Sequence, residues 1–392
     1  MRILITTDLY TPTINGVVTS IVSLKKSLEK LGHDVRVLTL ADYGYINEVD
    51  HVYAVSSLNV DKVYPGARVK LFSDRSIIRD LIEWQPDVVH TQSEFSTFRM
   101  AKQIAQHLNI PIVHTYHTVY EDYTHYFSPS RTTGRKIVSL FTKRVLNEVE
   151  SVIAPTNKVE NILNKYGIAQ PITVIPTGIQ LERFEERISE EDRRAFRAQY
   201  DIPEDAFLLV SLGRLGKEKN IDEILFFLSL LKQNVYFLIV GDGPHKVNLM
   251  SKVRELGLDR RVRFTGMVSP LDVAKYYQVG DLFVCASTSE TQGLTYIEAL
   301  ASGIPALCRA DASIENVIIN GQTGYQYHHY KEFESALYAL MKNKAHYQEL
   351  ATQAKDFVTR NYSSQAFGLN VSIIYGQAIE SYHSNQMLQM HM

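Results

Sequence analysis

The sequence predicts an α/β protein made of two Rossmann-like domains, each built on a doubly wound parallel sheet. Three observations support this prediction. The chain has 392 residues, which is more than one ordinary hydrophobic core accommodates. Short apolar runs alternate with helical patterns in both halves, as in βαβ units. Several runs end in glycine-containing turns, which places loops at the sheet edge where ligands bind.

Composition excludes several classes of function. The formal net charge of -2 argues against nucleic acid as the main partner. No apolar run approaches the roughly 18 residues of a membrane span, and residues 1–6 are typical of a first strand rather than a signal peptide. Cys285 and Cys308 lie in apolar strand-like runs, so we expect reduced core residues of a cytosolic protein.

The first half of the chain opens as a β–loop–α–β unit. Residues 2–7 form an apolar run typical of a buried strand, and residues 8–15 are rich in turn formers. Gly16 leads into a helical pattern over residues 17–31, and residues 35–40 give the next strand. No Gly-x-Gly-x-x-Gly motif follows the first strand, so the sequence gives no support for a dinucleotide site.

Polar residues follow two further strand-like runs, at residues 87–90 and 110–114. Because ligands of open parallel sheets bind beyond the carboxyl ends of the strands, we expect His90, Glu94, His114 and His117 to gather there. The last two have a spacing that metal ligands can share, but alternation along a strand would point them to opposite faces. The pattern therefore favours histidines of the core or of a binding crevice over a metal site.

A basic amphipathic helix is predicted over residues 128–149. Its apolar residues include Phe141. Its cations are Arg131, Arg135, Lys136, Lys143 and Arg144. Such a helix can lie on an anionic bilayer, where each basic residue contributes roughly 1 kcal/mol. An ordinary helix that covers a core has the same apolar stripe, so both interpretations stay open.

In the second half, an apolar run at residues 207–212 continues through a glycine into Arg214 and Lys219. Arginine offers a planar fork and lysine a compact charge, a combination that suits a diphosphate. Taken alone, these residues are more typical of a solvated Lys/Glu surface. Residues 235–243 give a second strand and a glycine turn that contains Gly243.

A third strand, at residues 281–286, precedes the stretch on which the functional interpretation depends. It is followed by Glu290, by a turn that ends at Gly293, and by a helix that contains Glu298. The start of such a helix attracts anions because its backbone N–H groups are free. Carboxylates accept hydrogen bonds from sugar hydroxyls, so a nucleotide-sugar site is one interpretation. The alternative is that Glu290 caps the helix and Glu298 is solvated.

Glu290 and Glu298, with seven residues between them, resemble the Glu-x7-Glu signature of retaining glycosyltransferases of family 4. His117-Thr118 resembles the histidine-threonine pair of that family, and Asn15-Gly16 stands where many members have two glycines. The resemblance implies the GT-B fold, in which two Rossmann-like domains face each other across a cleft. It also implies that Glu298 holds the donor ribose, Glu290 lies beside the transferred sugar and His117 lies near the reacting carbon.

The same resemblance places a hinge at residues 176–179, where proline and glycine suit a linker. The expected domains are residues 1–178 and residues 179–363. A final helix of about residues 364–392 is expected to return to the first domain. The first domain would face the acceptor and the membrane, and the second would bind the nucleotide sugar.

Further donor-site residues follow from positions that match the family motifs. Arg214 and Lys219 match its paired phosphate-binding residues and, with His117 and Glu290, form the expected catalytic group. The expected donor-binding residues are Gly16, Val17, Arg214, Lys219, Gly243, Met267, Val268, Glu290, Gly293, Leu294, Thr295 and Glu298. The chain has no Asp-x-Asp motif to hold a metal, and the two cations suit a leaving diphosphate, so we expect transfer without a metal or other cofactor.

Residues 121–126, which continue the His117-Thr118 segment, resemble more narrowly the bacterial diacylglycerol glucosyltransferases. This implies transfer of glucose from UDP-glucose to 1,2-diacylglycerol, in the synthesis of glycolipids such as the lipoteichoic acid anchor. The expected partners are a UDP-sugar, the diacylglycerol acceptor and an anionic membrane surface, with the cytoplasmic enzyme bound peripherally to the inner face of the cell membrane. The expected acceptor or membrane residues are Tyr120, Asp122, Tyr123, His125, Arg131, Arg135, Lys136, Phe141, Lys143 and Arg144.

Two alternatives remain open. The same fold and donor site would serve another acceptor, such as a glycosylated lipid, a cell-wall precursor or a soluble sugar. The second alternative is a non-catalytic membrane protein that binds a UDP-sugar without turnover. The sequence does not distinguish a glucose donor from a galactose donor, because the two sugars differ in the orientation of one hydroxyl.

Overall fold

The computed structural model describes residues 1–13, 15–60, 68–70, 74–121, 130–287 and 289–390. The chain forms two compact units. The first comprises Met1–Gly178 and Ser364–Met392, and the second comprises Ile179–Ser363. Each unit contains a mainly parallel sheet with helices on both faces, so the predicted α/β class with two doubly wound domains is confirmed.

The main sheet of the first unit reverses its strand order at its centre. The strands of the first unit are β1 (Arg2–Thr6), β2 (Asp34–Ala41), β3 (Tyr45–Asn47), β4 (Val52–Ser56), β5 (Leu58–Asn59), β6 (Arg68–Val69), β7 (Val88–Thr91), β8 (Ile112–Thr115), β9 (Ser151–Ala154) and β10 (Ile172–Val174). Its first helices are α1 (Gly16–Lys30), α2 (Arg75–Trp84), α3 (Ser96–Leu108), α4 (Arg131–Leu146) and α5 (Asn157–Tyr166). The order is β10-β9-β8-β7-β1-β2-β4-β3, with β3 antiparallel and β5 and β6 forming a separate pair. The reversal lies between β1 and β7, and ligands of such sheets bind there.

The second unit has the strand order of a dinucleotide-type Rossmann sheet. Its helices are α6 (Glu182–Glu185), α7 (Glu190–Gln199), α8 (Ile221–Leu230), α9 (Lys246–Glu255), α10 (Val273–Gln278), α11 (Leu294–Ala301), α12 (Tyr330–Lys342) and α13 (Lys344–Asn361). Its strands are β11 (Phe207–Leu212), β12 (Val235–Val240), β13 (Val262–Gly266), β14 (Leu282–Cys285), β15 (Ala306–Arg309) and β16 (Gly324–Tyr327). All are parallel, in the order β13-β12-β11-β14-β15-β16. The reversal therefore lies between β11 and β14.

Alternation along the central strands fills a core on each face of each sheet. Ile3 and Ile5 of β1 face the core beside α1, whereas Leu4 faces the core beside α2 and α3. In the second unit, Leu208 of β11 faces the core beside α11 and Leu209 faces the core beside α8. Successive strand residues point to opposite faces, so strands buried on both sides are apolar throughout.

The last helix, α14 (Ser364–Met390), packs on α1 and is held by polar contacts within the first unit. His33 Nε2 lies 2.9 Å from Ser372 Oγ, and the hydroxyl of Tyr375 lies 2.7 Å from His90 Nδ1. Tyr375 is fully buried, so its hydroxyl needs a partner inside the core. None of the described helices, α14 included, is both long and apolar enough to cross a membrane.

The structure differs from the sequence prediction in several elements. The helix predicted over residues 128–149 is the shorter α4, with residues 128 and 129 outside the described part. Helices α12 and α13 are separate, because Asn343 caps α13 by accepting a hydrogen bond from the backbone N–H of His346 at 3.0 Å. Strands β3 and β4 were not predicted. Both cysteines are buried free thiols, and they face each other in register on β14 and β15.

Candidate active site

The strand reversal of the second unit brings the loop after β11 against the loop after β14. Lys219 Nζ donates to Glu290 Oε1 at 2.6 Å, although the two residues are 71 positions apart in the chain. Ser287 Oγ donates to the backbone carbonyl of Glu218 at 3.5 Å. Glu290 is 8% exposed, so its carboxylate is paired where water has little access. The structure thus joins two residues that the sequence placed in one catalytic group.

The loop after β11 holds its cations close to carboxylates. Arg214 forms an ion pair with Glu218, and the Arg214 side chain is 44% exposed. A short 3-10 turn ends in Asn220, whose backbone is left-handed with φ 50°. Asn220 Nδ2 donates to Glu223 Oε2 at 3.2 Å. The turn needs a positive φ at this position, which asparagine tolerates better than most residues other than glycine.

Two predicted donor-site glycines have a steric reason to be glycine. Gly293 precedes α11 with φ 74°, and a Cβ there would lie 2.4 Å from the ring of Tyr296. A Cβ on Gly243 would lie 2.6 Å from the backbone oxygen of Leu215. The loop after β12 therefore packs backbone to backbone on the loop after β11.

Glu298 lies on α11 with its carboxylate part-buried. The hydroxyl of Tyr277 donates to Glu298 Oε2 at 3.0 Å. Burial raises the pKa of Glu298 to about 7, while the hydrogen bond from Tyr277 and the charge of Arg183 act to lower it. Glu298 was predicted from the motif. Tyr277, which lies on α10, was not predicted.

The other predicted donor-site residues lie at the carboxyl ends of strands of their own unit. Met267 and Val268 follow β13 directly, the first 67% exposed and the second packed on the core. Leu294 and Thr295 begin α11, and both are half-buried.

Gly16 and Val17 belong to the first unit, where they begin α1. Asn15 Oδ1 caps that helix by accepting a hydrogen bond from the backbone N–H of Val18 at 2.9 Å. Asparagine therefore has a capping function at the position where many family members have the first of two glycines.

His117 lies two residues beyond the end of β8, at the strand reversal of the first unit. Its Nε2 lies 2.6 Å from Gln92 Oε1, which follows β7. Burial, together with the nearby His114, lowers the pKa of His117 to about 3. The imidazole is therefore neutral at physiological pH. Sequence analysis missed Gln92, although its place after a strand was a usable signal.

The other predicted polar residues of this edge have separate partners. His90 Nε2 lies 2.7 Å from Thr115 Oγ1, and burial lowers the pKa of His90 well below its usual range. His114 Nδ1 lies 2.7 Å from Thr91 Oγ1, and its Nε2 lies 3.5 Å from a Glu94 oxygen. Within the described ranges, no three His, Cys, Asp or Glu side chains are grouped so that they could hold a metal ion.

Asp8, which sequence analysis did not single out, links β1 to α3. Its Oδ1 accepts hydrogen bonds from the backbone N–H of Thr97 at 2.8 Å and from Thr97 Oγ1 at 2.9 Å. Burial raises the pKa of Asp8 to about 6 against these hydrogen bonds. The carboxylate thus caps α3 from a distant part of the chain.

The predicted acceptor and membrane residues are only partly described. Asp122, Tyr123 and His125 lie outside the described residues, as does the side chain of Arg131. The hydroxyl of Tyr120 donates to Glu94 Oε2 at 2.6 Å. Arg135 Nε lies 3.1 Å from Glu121 Oε2.

Helix α4 has one buried face and one exposed face. Val138, Val145 and Leu146 are buried, so one face covers the core. On the outer face Ile137 is 50% exposed and Leu140 is 70% exposed. The cations that share this outer face are Lys136, Lys143 and Arg144, whereas Arg135 lies on another side of the helix and pairs with Glu121. Near them Phe141 stacks on Phe95, which is 52% exposed, with ring centroids 5.6 Å apart.

The chain matches known sequence families over most of its length. Residues 14–183 match the family described as Glycosyltransferase Family 4, and residues 192–357 match Glycosyl transferases group 1. An alpha-monoglucosyldiacylglycerol synthase of Streptococcus pneumoniae is 35% identical over 97% of this chain and 87% of its own length. An enzyme of the same description from Acholeplasma laidlawii is 31% identical over 97% of this chain and 98% of its own length.

Solved structures share the fold. Anabaena HepE in complex with UDP and glucose superposes with a TM-score of 0.76 and 17% identity, covering 96% of this chain and 100% of that chain. Sucrose-phosphate synthase from Thermosynechococcus elongatus superposes with a TM-score of 0.75 and 20% identity, covering 97% of this chain and 99% of that chain. At these identities the likeness concerns the fold alone.

The pKa of His117 gives a prediction for spectroscopy. A pKa of about 3 leaves only about one His117 imidazole in a hundred protonated at pH 5. In NMR spectra of the histidine side chains, the His117 signal, assigned by its absence from His117→Gln, should therefore not shift between pH 5 and 8. A titration midpoint near the ordinary histidine pKa of about 6.5 would show that the imidazole is not buried as described.

Proposed function

Because the chain belongs to glycosyltransferase family 4 and is a hexosyltransferase of the GT-B fold, we propose that it transfers glucose from UDP-glucose to the free hydroxyl of 1,2-diacylglycerol. The observation that carries the proposal is the 35% and 31% identity to two alpha-monoglucosyldiacylglycerol synthases, each over 97% of this chain. The product is alpha-monoglucosyldiacylglycerol, a glycolipid that can anchor lipoteichoic acid. UDP-glucose is itself an α-glucoside, so an α product means that configuration is retained.

The second unit holds the donor in this proposal. Arg214 and Lys219 bind the diphosphate, with support from the start of α11. Glu298 accepts hydrogen bonds from the ribose. Gly293 has no side chain, so the donor can approach the backbone closely there. Because Lys219 is paired with Glu290, a bound diphosphate shares that lysine with the carboxylate.

The transfer step forms one bond and breaks another at the same carbon. The acceptor oxygen bonds to C1 of glucose while the bond from C1 to the diphosphate oxygen breaks. The acceptor proton passes to the departing diphosphate, whose charge Arg214 and Lys219 stabilise. His117 orients the hexose as a neutral hydrogen-bonding group, and Glu290 accepts a hydrogen bond from a sugar hydroxyl.

In this proposal the first unit binds the membrane surface that contains the lipid acceptor. Ile137 and Leu140 are exposed on the same helix face as Lys136 and Lys143. Apolar side chains flanked by cations suit the surface of an anionic bilayer, where diacylglycerol resides. We therefore place the enzyme on the inner face of the cell membrane as a peripheral protein.

The reaction is tested by transfer from labelled UDP-glucose and, separately, UDP-galactose to 1,2-diacylglycerol in anionic vesicles, with the anomeric configuration read by NMR. We expect an α-glucosyl lipid from UDP-glucose. A β product would contradict retention, and a product from UDP-galactose alone would contradict the donor. Slow release of UDP without a lipid product would keep the donor site and reject the acceptor.

Two lysines of one turn provide the control for this assay. Lys219→Met should lower the rate about 100-fold, the order measured when one electrostatic donor to a transition state is removed. Lys217→Met changes an exposed lysine two residues away and should leave the rate close to that of the wild type. Equal effects of the two substitutions would show that the lysines contribute only net charge.

Transfer without a metal is a separate prediction. Because Arg214 and Lys219 supply positive charge to the diphosphate, EDTA should leave the rate within about two-fold of its untreated value. The control is a second sample in which Mg²⁺ is restored after chelation. Loss of activity with EDTA and recovery with Mg²⁺ or Mn²⁺ would overturn the proposal.

A further inference from the structure

We propose that Tyr277 is a positioning residue of the donor site, whose hydroxyl fixes one oxygen of Glu298 and leaves the other oxygen for a hydroxyl of the donor ribose. The inference rests on the function proposed for Glu298. It goes beyond the family motif, which includes the glutamate and not the tyrosine.

Tyr277 is placed by the core, and its hydroxyl is its one polar side-chain group. The side chain is fully buried, and its ring packs edge to face on Phe283 of β14 with centroids 5.8 Å apart. A phenylalanine would fill the same space, so packing alone does not require the hydroxyl. A buried hydroxyl needs a partner, and Glu298 Oε2 is that partner at 3.0 Å.

Fixing the glutamate in advance favours ligand binding. A free glutamate side chain loses rotamer entropy when it is ordered, which opposes binding. The Tyr277 hydrogen bond orders the carboxylate before the donor arrives, so less entropy is lost on binding. Tyr277 influences the donor through Glu298, so its removal affects only the binding of the ribose hydroxyl groups.

The same hydrogen bond favours the ionised form of Glu298. The charge of Arg183, on α6, also lowers the pKa of Glu298. The adjoining core contains Ala354 and Val358 of α13, together with Ala306 and the Cys308 thiol of β15. Since burial raises the pKa of Glu298 to about 7, loss of the Tyr277 hydrogen bond raises it further. The variant then carries more protonated Glu298 at neutral pH and needs a higher pH to regain an ionised carboxylate.

The test compares the affinity of Tyr277→Phe for UDP and for 2′,3′-dideoxy-UDP by calorimetry between pH 6 and 9. At pH 7 we expect UDP to bind about 3–10-fold more weakly than to the wild type, the order of one net hydrogen bond. The affinity for the dideoxy nucleotide should be unchanged. The pH dependence for UDP should shift to higher pH. Tyr276 lies on the same helix and packs on Phe196. Tyr276→Phe is therefore the matched control and should leave the affinity for both nucleotides unchanged.

Each outcome is decisive. Equal loss of affinity for both nucleotides would show that Tyr277 only supports the fold, and unchanged UDP affinity would show that it positions nothing. Glu298→Gln separates this inference from the proposed function. If Glu298→Gln leaves UDP binding intact, the ribose role of Glu298 fails. If it weakens UDP binding while Tyr277→Phe does not, only the positioning role fails. Thermal unfolding confirms that each variant is folded.

Discussion

The reversal of strand order between β11 and β14 is the constraint on which the proposed donor site depends. Helices that follow adjacent strands leave toward opposite faces of the sheet at such a point, so the two loops remain open at its carboxyl edge. One loop carries cations and the other carries carboxylates, and the pair Lys219 and Glu290 joins them at 2.6 Å. Opposite charges that the sequence separates by 71 positions are thus paired in the fold.

The first unit uses its strand reversal differently. The polar side chains beyond β1, β7 and β8 are mostly buried, and they bond to one another rather than to solvent. Asp8 caps α3, His90 reaches α14 through Tyr375, and His117 reaches Gln92. Because burial disfavours a charged imidazole, His90 and His117 are neutral. This edge is a fixed hydrogen-bonding surface, whereas the donor edge carries opposite charges that a ligand can rearrange.

The sequence predicts most of the fold and the motif-bearing part of the site. Strands buried on both faces are continuous apolar runs, so β1, β11 and β14 were identified correctly. Glu290 and Lys219, here paired, were identified by spacing and by resemblance. Tyr277 and Gln92 were missed because their importance comes from contacts with residues 21 and 25 positions away, which no local pattern encodes. The two faces of α4 could not be assigned either, since an apolar stripe looks the same whether it meets a core or a membrane.

The most direct test of the account is hydrogen exchange with and without UDP. If the donor is held by the loops after β11 and β14, peptides covering residues 213–220 and 286–298 should exchange more slowly with UDP. The second unit also has an open cavity of about 560 Å³ at the ends of β15 and β16, lined by Asp311, Gln326 and Glu332 among others, and peptides there should be unaffected. Slower exchange around that cavity, with no change in the two loops, would contradict the donor site described.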